Sequence, residues 1–383
     1  MLCWLAKISW GQNDGRPGRP GRLKSLFHKR AGFPDTVCSN LAYDWQEPSP
    51  HIDTLCPLLR RKKILFVGPE TTFHLHANLL QAFELHENRS HSCLGTEFCT
   101  FHQICQVPRS PDSTEPFFPP GGFKKYPSNR ELVASQSGIL KYILSNSLYA
   151  GSDMQDPRYT NSIAQIDRQS GVRQKERYWL GQARKADVLV LNRGPLPAPA
   201  WTYDGTRRGN WSFAQKTVGP RRDRQFRRED RNDFGREKIL DIALRVTVET
   251  FLPEVVETLR TLSKETQRHK QAVLWHGSWI IEPACAVKNA QGMSVLDSRM
   301  DSWTLFYNAQ VQMQNHVLRA LLSHYRVLFI PMFAPSRRSH EEDLGYSKKL
   351  IMGRKDCLRY RFGSILEETT RSALLGGVSF EVE

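Results

Sequence analysis

The chain has 383 residues, 39% of them hydrophobic and 24% charged, a composition ordinary for a globular protein with substantial loops and sufficient for one large α/β domain or two small ones. With 54 Lys and Arg against 39 Asp and Glu, the formal charge is +15; it favours nucleic acid, anionic polysaccharide or anionic lipid headgroups as partners without choosing among them. No window approaches the ~18–20 continuous apolar residues of a transmembrane helix, so no membrane span is expected.

Residues 1–35 contain Gly-Arg-Pro-Gly-Arg-Pro-Gly-Arg from Gly15 to Arg22 and are expected to form a disordered basic arm, because they carry too little apolar surface to order themselves. The apolar start at Met1 to Trp10 is broken by Lys7 and lacks the long apolar run and cleavage site of a secretory signal. A single domain is expected over residues 36–383. It opens with Cys38 and Cys56 flanking Tyr43 and Trp45. Ile64 to Val67 then read as a buried strand that breaks at Gly68, and Phe73, His76, Leu79, Leu80 and Phe83 recur at helical spacing beyond it. Such a corner exposes the next side chains above the carboxyl end of a strand, where ligands of open α/β sheets bind. Two places after the pivot stands Glu70, where acyl chemistry would call for serine.

Cys93, Cys99 and Cys105 crowd a segment that also holds His102. Disulfides or free thiols are favoured there; the rival reading is a zinc site from those three thiolates and the imidazole, at irregular spacing. Residues 106–130, dense in Pro, Gly and Ser, read as a long loop. Leu132 to Tyr149 and Glu176 to Lys185 carry helical periodicity, and Val188 to Leu191 is a strand. Residues 200–236 form a second long loop, rich in arginine. Lys238 to Leu262 is a helix that Pro253 should kink or break. Ala272 to Trp275 is a strand ending in His276-Gly277-Ser278-Trp279. Trp303 to Leu322 is an amphipathic helix, Val327 to Ile330 a fourth strand, Pro331 to Lys349 a loop, and Ser364 to Leu375 a closing helix. Strands separated by helices imply a three-layer αβα sandwich with a mostly parallel sheet.

Three blocks of this chain resemble the PC-esterase, or trichome-birefringence-like, family of the SGNH/GDSL hydrolase superfamily. Ile-Leu-Phe-Val-Gly-Pro-Glu, ending at Glu70, resembles the Gly-Asp-Ser block; Asn192-Arg193-Gly194 resembles the Asn-x-Gly block; Lys355-Asp356-Cys357-Leu358-Arg359-Tyr360 resembles the Asp-x-x-His block. The resemblance implies an SGNH-like fold, a past in polysaccharide O-acetyl ester chemistry, and an acetylated polysaccharide as partner. It also implies that Glu70 stands in place of the nucleophilic serine and Arg359 in place of the catalytic histidine, while Asn192 and Asp356 are kept. Relatives in the secretory pathway agree with two sequons, at Asn88 and Asn210, and with eight cysteines; the Golgi lumen or the extracellular space is therefore favoured.

Acyl transfer requires a nucleophile, a base touching it, a group orienting the base and donors for the oxyanion. Glu70 is a poor nucleophile toward an ester, and the guanidinium of Arg359 stays charged and shuttles no proton. A salt bridge between them would fill the site rather than run it. The alternative is an active O-acetyltransferase or esterase in which Thr71 or Thr72 replaces the serine and His276 serves as base. His74 and His76, two apart on a helix, point to opposite sides and read as surface or packing residues. Ser278 lacks a nucleophile-elbow pattern, and Trp201, Tyr203 and Trp211 are candidates for sugar stacking. A third reading, a basic nucleic-acid-binding protein, rests on the net charge and the arginine-rich segment from Arg207 to Arg236 and is ranked last because no zinc-finger or recognisable RNA-binding motif is present. No cofactor or metal is expected, and the sequence does not reveal oligomeric state.

Overall fold

A computed structural model describes residues 52–88, 101–106, 127–148, 163–166, 173–176, 179–195, 236–269, 271–286, 292–297, 299–332, 350–351, 354–355 and 357–382. The basic arm, both sequon serines, Cys93, Cys99, the arginine-rich loop, its aromatic residues, the body of the 106–130 loop and Asp356 lie outside them.

The chain runs through α1 (Ile52–Leu59), β1 (Lys63–Gly68), α2 (Glu70–Glu87), β2 (His102–Ile104), α3 (Asn129–Ser135) and β3 (Gly138–Leu144). A hairpin of β4 (Ile163–Ile166) and β5 (Arg173–Glu176), the short α4 (Leu180–Ala183) and β6 (Val188–Leu191) follow. Next come α5 (Arg236–Val246), a π-helical stretch Thr247–Phe251, α6 (Leu252–His269), β7 (Ala272–His276) and α7 (Pro283–Ala286). Beyond these lie α8 (Ser302–Leu321), a 3-10 turn Leu322–Tyr325, β8 (Leu328–Ile330), the two-residue strands β9 (Leu350–Ile351) and β10 (Arg354–Lys355), and α9 (Ile365–Val382).

Six strands form one sheet in the order β2-β3-β1-β6-β7-β8, parallel except for β2 at one margin. Successive side chains of a strand point to opposite faces, and both faces here are apolar. Ile64 and Phe66 of β1 join Leu140 and Tyr142 of β3 in a core covered by α1, α2 and α9. Leu65 and Val67, with Leu189 and Leu191 of β6, join a second core covered by α4, α6 and the end of α8. The protein is therefore an α/β fold of three layers, as periodicity predicts.

Two expected helices are corrected. Gly138–Leu144 is a strand, at the heart of the span read as a helix from Leu132 to Tyr149, and only Asn129–Ser135 is helical there. A run buried on both faces shows no alternation, so its period does not separate strand from helix. From Glu176 to Lys185 the helix shrinks to Leu180–Ala183, and Glu176 belongs to β5. The predicted break near Pro253 appears just ahead of it, as the π-helical stretch between α5 and α6. That stretch frees the carbonyls with which the proline ring would clash.

The zinc reading is also corrected. Cys105 is bonded to Cys56, and a second disulfide joins Cys285 to Cys357; no cluster of metal-ligating side chains occurs among the described residues. No helix among them is long and apolar enough to cross a membrane.

Candidate active site

β1 lies between β3 and β6, and the chain order reverses there, so the crevice beyond the carboxyl ends of β1 and β6 is the topological switch point of the sheet. The turn leaving β1 is pinned from both sides. The Ser145 amide and the Tyr142 hydroxyl donate to the Gly68 carbonyl, at 2.9 Å each, and the Asn192 amide donates to the Val67 carbonyl at 3.0 Å. Gly68 is required by space: a Cβ there would lie 2.2 Å from Thr72 Oγ1 and 2.9 Å from the Asn192 carbonyl oxygen. Pro69 then caps α2 with no side-chain acceptor, leaving the first amides of the helix without a capping side chain.

Glu70, the first residue of α2, meets Arg359 from the chain's far end. Arg359 Nη2 donates to Glu70 Oε1 at 3.1 Å, and Arg359 Nε donates to His74 Nε2 at 3.1 Å. His74, one helical turn after Glu70, brings its Nε2 within 3.6 Å of the same carboxylate oxygen. His74 first, and then the charge of Arg359, hold the Glu70 carboxyl below its ordinary range against desolvation by burial. Glu70 and Arg359, 289 positions apart, are thus joined above the end of β1.

A second polar pair lies deeper. Thr72 Oγ1 and His276 Nε2 are 3.0 Å apart, and both residues are fully buried. His276 ends β7, which runs parallel to β1 through β6, so its side chain reaches the same edge of the sheet. Its Nδ1 lies 3.0 Å from the Gly277 carbonyl; with the proton on Nδ1, Nε2 is left to accept from the Thr72 hydroxyl. Burial depresses the His276 imidazole to about 4, against the raising effect of the Gly277 carbonyl, and keeps it neutral.

Asn192 is fully buried and its Nδ2 donates to the His276 carbonyl at 2.7 Å, with Ser278 Oγ at 3.4 Å. Its amide therefore ties β6 to β7 beneath the crevice, and its Oδ1 has no partner among the described residues. Thr71 is half-buried with no hydrogen bond among the described residues, so the hydroxyl with a base in reach is that of Thr72. Asp356 is not described, although its neighbour Cys357 is anchored by the Cys285 disulfide. Ser278 and Trp279 are buried, which assigns both to packing.

Three contributions were not read from the sequence. His74 bridges Glu70 and Arg359, and its position four after Glu70 is the signal that could have shown it. Asn315 and Asn308 of α8 clamp the segment after β7. Asn315 Oδ1 accepts from the Ser278 amide at 3.1 Å while its Nδ2 donates to the Ser278 carbonyl at 2.7 Å; Asn308 does the same for Ile281, at 2.9 Å in each direction. These amides substitute for a neighbouring strand and fix the backbone that presents His276. The third is the covering segment Cys357–Tyr360. The Leu358 carbonyl accepts from Trp279 Nε1 at 3.2 Å, Tyr360 packs on the Trp279 ring at 5.4 Å, and Trp279 stacks on His276 at 6.2 Å.

Searches found no family model that matches the chain and no curated protein that matches it.

Proposed function

We propose that this is a PC-esterase-like, SGNH-type protein that associates with acetylated or anionic polysaccharide in the secretory pathway, and whose ancestral esterase centre is filled by a salt bridge. The observation that carries this reading is the Glu70–Arg359 pair. The residue aligned with the nucleophilic serine and the residue aligned with the catalytic histidine are in contact at 3.1 Å, at the switch point of the sheet. The meeting of two segments so distant in sequence supports the placement of the blocks that the resemblance implies. The formal charge of +15 suits an anionic glycan, and the two disulfides suit an oxidising compartment.

Purified protein incubated with acetylated xylan or an aryl acetate is expected to release no acetate above the buffer rate, while a pull-down with acetylated or acidic polysaccharide retains it. The variant Pro69→Asp/Glu70→Ser/Arg359→His restores the family blocks and should gain ester hydrolysis. Turnover by the unaltered protein that vanishes in Glu70→Gln overturns the filled-site reading; absence of glycan retention overturns the association.

A second reading is favoured by one observation, the contact between Thr72 and His276. A hydroxyl with an imidazole in hydrogen-bond range is the core of a nucleophile and base pair.

A further inference from the structure

The Thr72–His276 pair has the parts of an acyl-accepting centre and none of the access. Thr72 supplies a hydroxyl, His276 Nε2 an acceptor 3.0 Å away, and the Gly277 carbonyl, 3.0 Å from Nδ1, the orienting contact that a carboxylate makes in a triad. The amides opening α2, beyond a proline cap with no side-chain acceptor, lie beside Thr72 and are donors for an oxyanion. On the His276 ring of this pair the chain lays Trp279, and on Trp279 it lays Tyr360. The outer layer belongs to a strap fastened at four consecutive residues: Cys357 by its disulfide to Cys285, Leu358 by Trp279 Nε1, Arg359 by Glu70 and His74, and Tyr360 by the Trp279 ring.

We infer that Thr72 and His276 form a latent acyl-accepting dyad, closed in this structure by the strap Cys357–Tyr360, and that opening the strap exposes the Thr72 hydroxyl to O-acyl esters.

In the open state Thr72 Oγ forms a bond to the acyl carbon of the ester while its proton passes to His276 Nε2. Collapse of the tetrahedral intermediate breaks the ester C–O bond, and the departing alkoxide takes that proton, leaving an alcohol and an acylated Thr72. Water attacks the same carbon with His276 as base and releases the carboxylic acid, restoring the hydroxyl. Opening does two things together: it admits the ester, and it returns water to an imidazole whose basicity is suppressed by desolvation. The inference rests on the geometry of this pair and not on the resemblance, so its failure leaves the filled-site reading standing.

The test loosens the strap in two ways and reads acylation at one residue. The unaltered protein, Cys285→Ser/Cys357→Ser, and Arg359→Ala/Tyr360→Ala, which keeps the disulfide, are incubated with p-nitrophenyl acetate. Each is checked for native circular dichroism, and peptides are mapped by mass spectrometry. At least one folded strap variant should carry acetyl on Thr72 where the closed protein carries none. Adding His276→Gln to that variant should lower the labelling rate by on the order of 10²–10⁴-fold, the usual worth of a general base, and adding Thr72→Val should abolish it. The inference is overturned if Thr72 stays unmodified in every folded strap variant, if labelling ignores His276→Gln, or if the closed protein is labelled as fast.

Discussion

Gly68 shows how far a single position decides the crevice. A methyl group there would overlap the Thr72 hydroxyl and press on the Asn192 carbonyl, so Gly68→Ala should destabilise by about 2 kcal/mol or more, read as a lower urea midpoint. Two histidines set the response to acid. His76 is fully buried among Phe66, Phe73, Tyr142 and His102, its ring nitrogens have no hydrogen-bond partner among the described residues, and burial, helped by the charge of His102, lowers its pKa to about 3. His276 falls to about 4 for the same first reason. Both folded values lie below the unfolded value of 6.5, so below that pH the unfolded chain binds protons that the fold refuses. Stability is full above pH 6.5 and should fall by about 1.4 kcal/mol per histidine for each unit below it, levelling off near each folded value. Chemical unfolding between pH 7.5 and pH 5 checks this, and His76→Phe should halve the slope. Glu70 and Arg359 were legible as partners because short blocks in order flank them. The Thr72–His276 contact was legible only as one of two candidates, Thr71 or Thr72 with His276 as base, because 204 residues separate the helix from the strand end and the parallel register decides which hydroxyl meets the ring.

Among the elements, those with strong internal periods were readable: β1, β6, β7 and α8 stand within a residue of their sequence positions, and α2 extends by three and four residues beyond the Phe73 to Phe83 spacing. β3 was missed because both its faces are buried, and apolar residues on every side erase the alternation on which strand recognition depends. α8 looked amphipathic, yet its buried face includes Asn308, Gln310 and Gln314, with Asn315 beside them. That face carries amides because it must satisfy an irregular backbone segment. Truncating Asn315 to alanine leaves the Ser278 amide and carbonyl unpaired and should cost about 2–3 kcal/mol. The same loss is expected for Asn308→Ala. Asn315→Asp, which keeps the acceptor and loses the donor, should fall between wild type and Asn315→Ala in thermal unfolding.

At the scale of the molecule, the two disulfides fasten opposite parts of the fold: Cys56–Cys105 holds α1 to the end of β2, and Cys285–Cys357 holds the strap to α7. They span 49 and 72 residues, so chain-entropy reasoning gives each about 4 kcal/mol of stabilisation. Replacing either pair by serine should lower the melting temperature, with Cys56→Ser/Cys105→Ser loosening the β2 margin and Cys285→Ser/Cys357→Ser the strap. Hydrogen exchange localises each effect. The three-layer plan followed from the alternation of strands and helices; the pairing of cysteines depended on which loops the sheet folds together, and local composition does not record that.

Both margins of the sheet are three-residue strands, β2 and β8, and so brief a ladder offers another chain little to zip onto. Behind β2 stands Gly138-Ile139-Leu140-Lys141-Tyr142-Ile143-Leu144, seven residues with one charge, the composition that feeds fibrils when uncovered. The Cys56–Cys105 bond therefore guards solubility as well as shape: under prolonged thiol reduction, light scattering should rise.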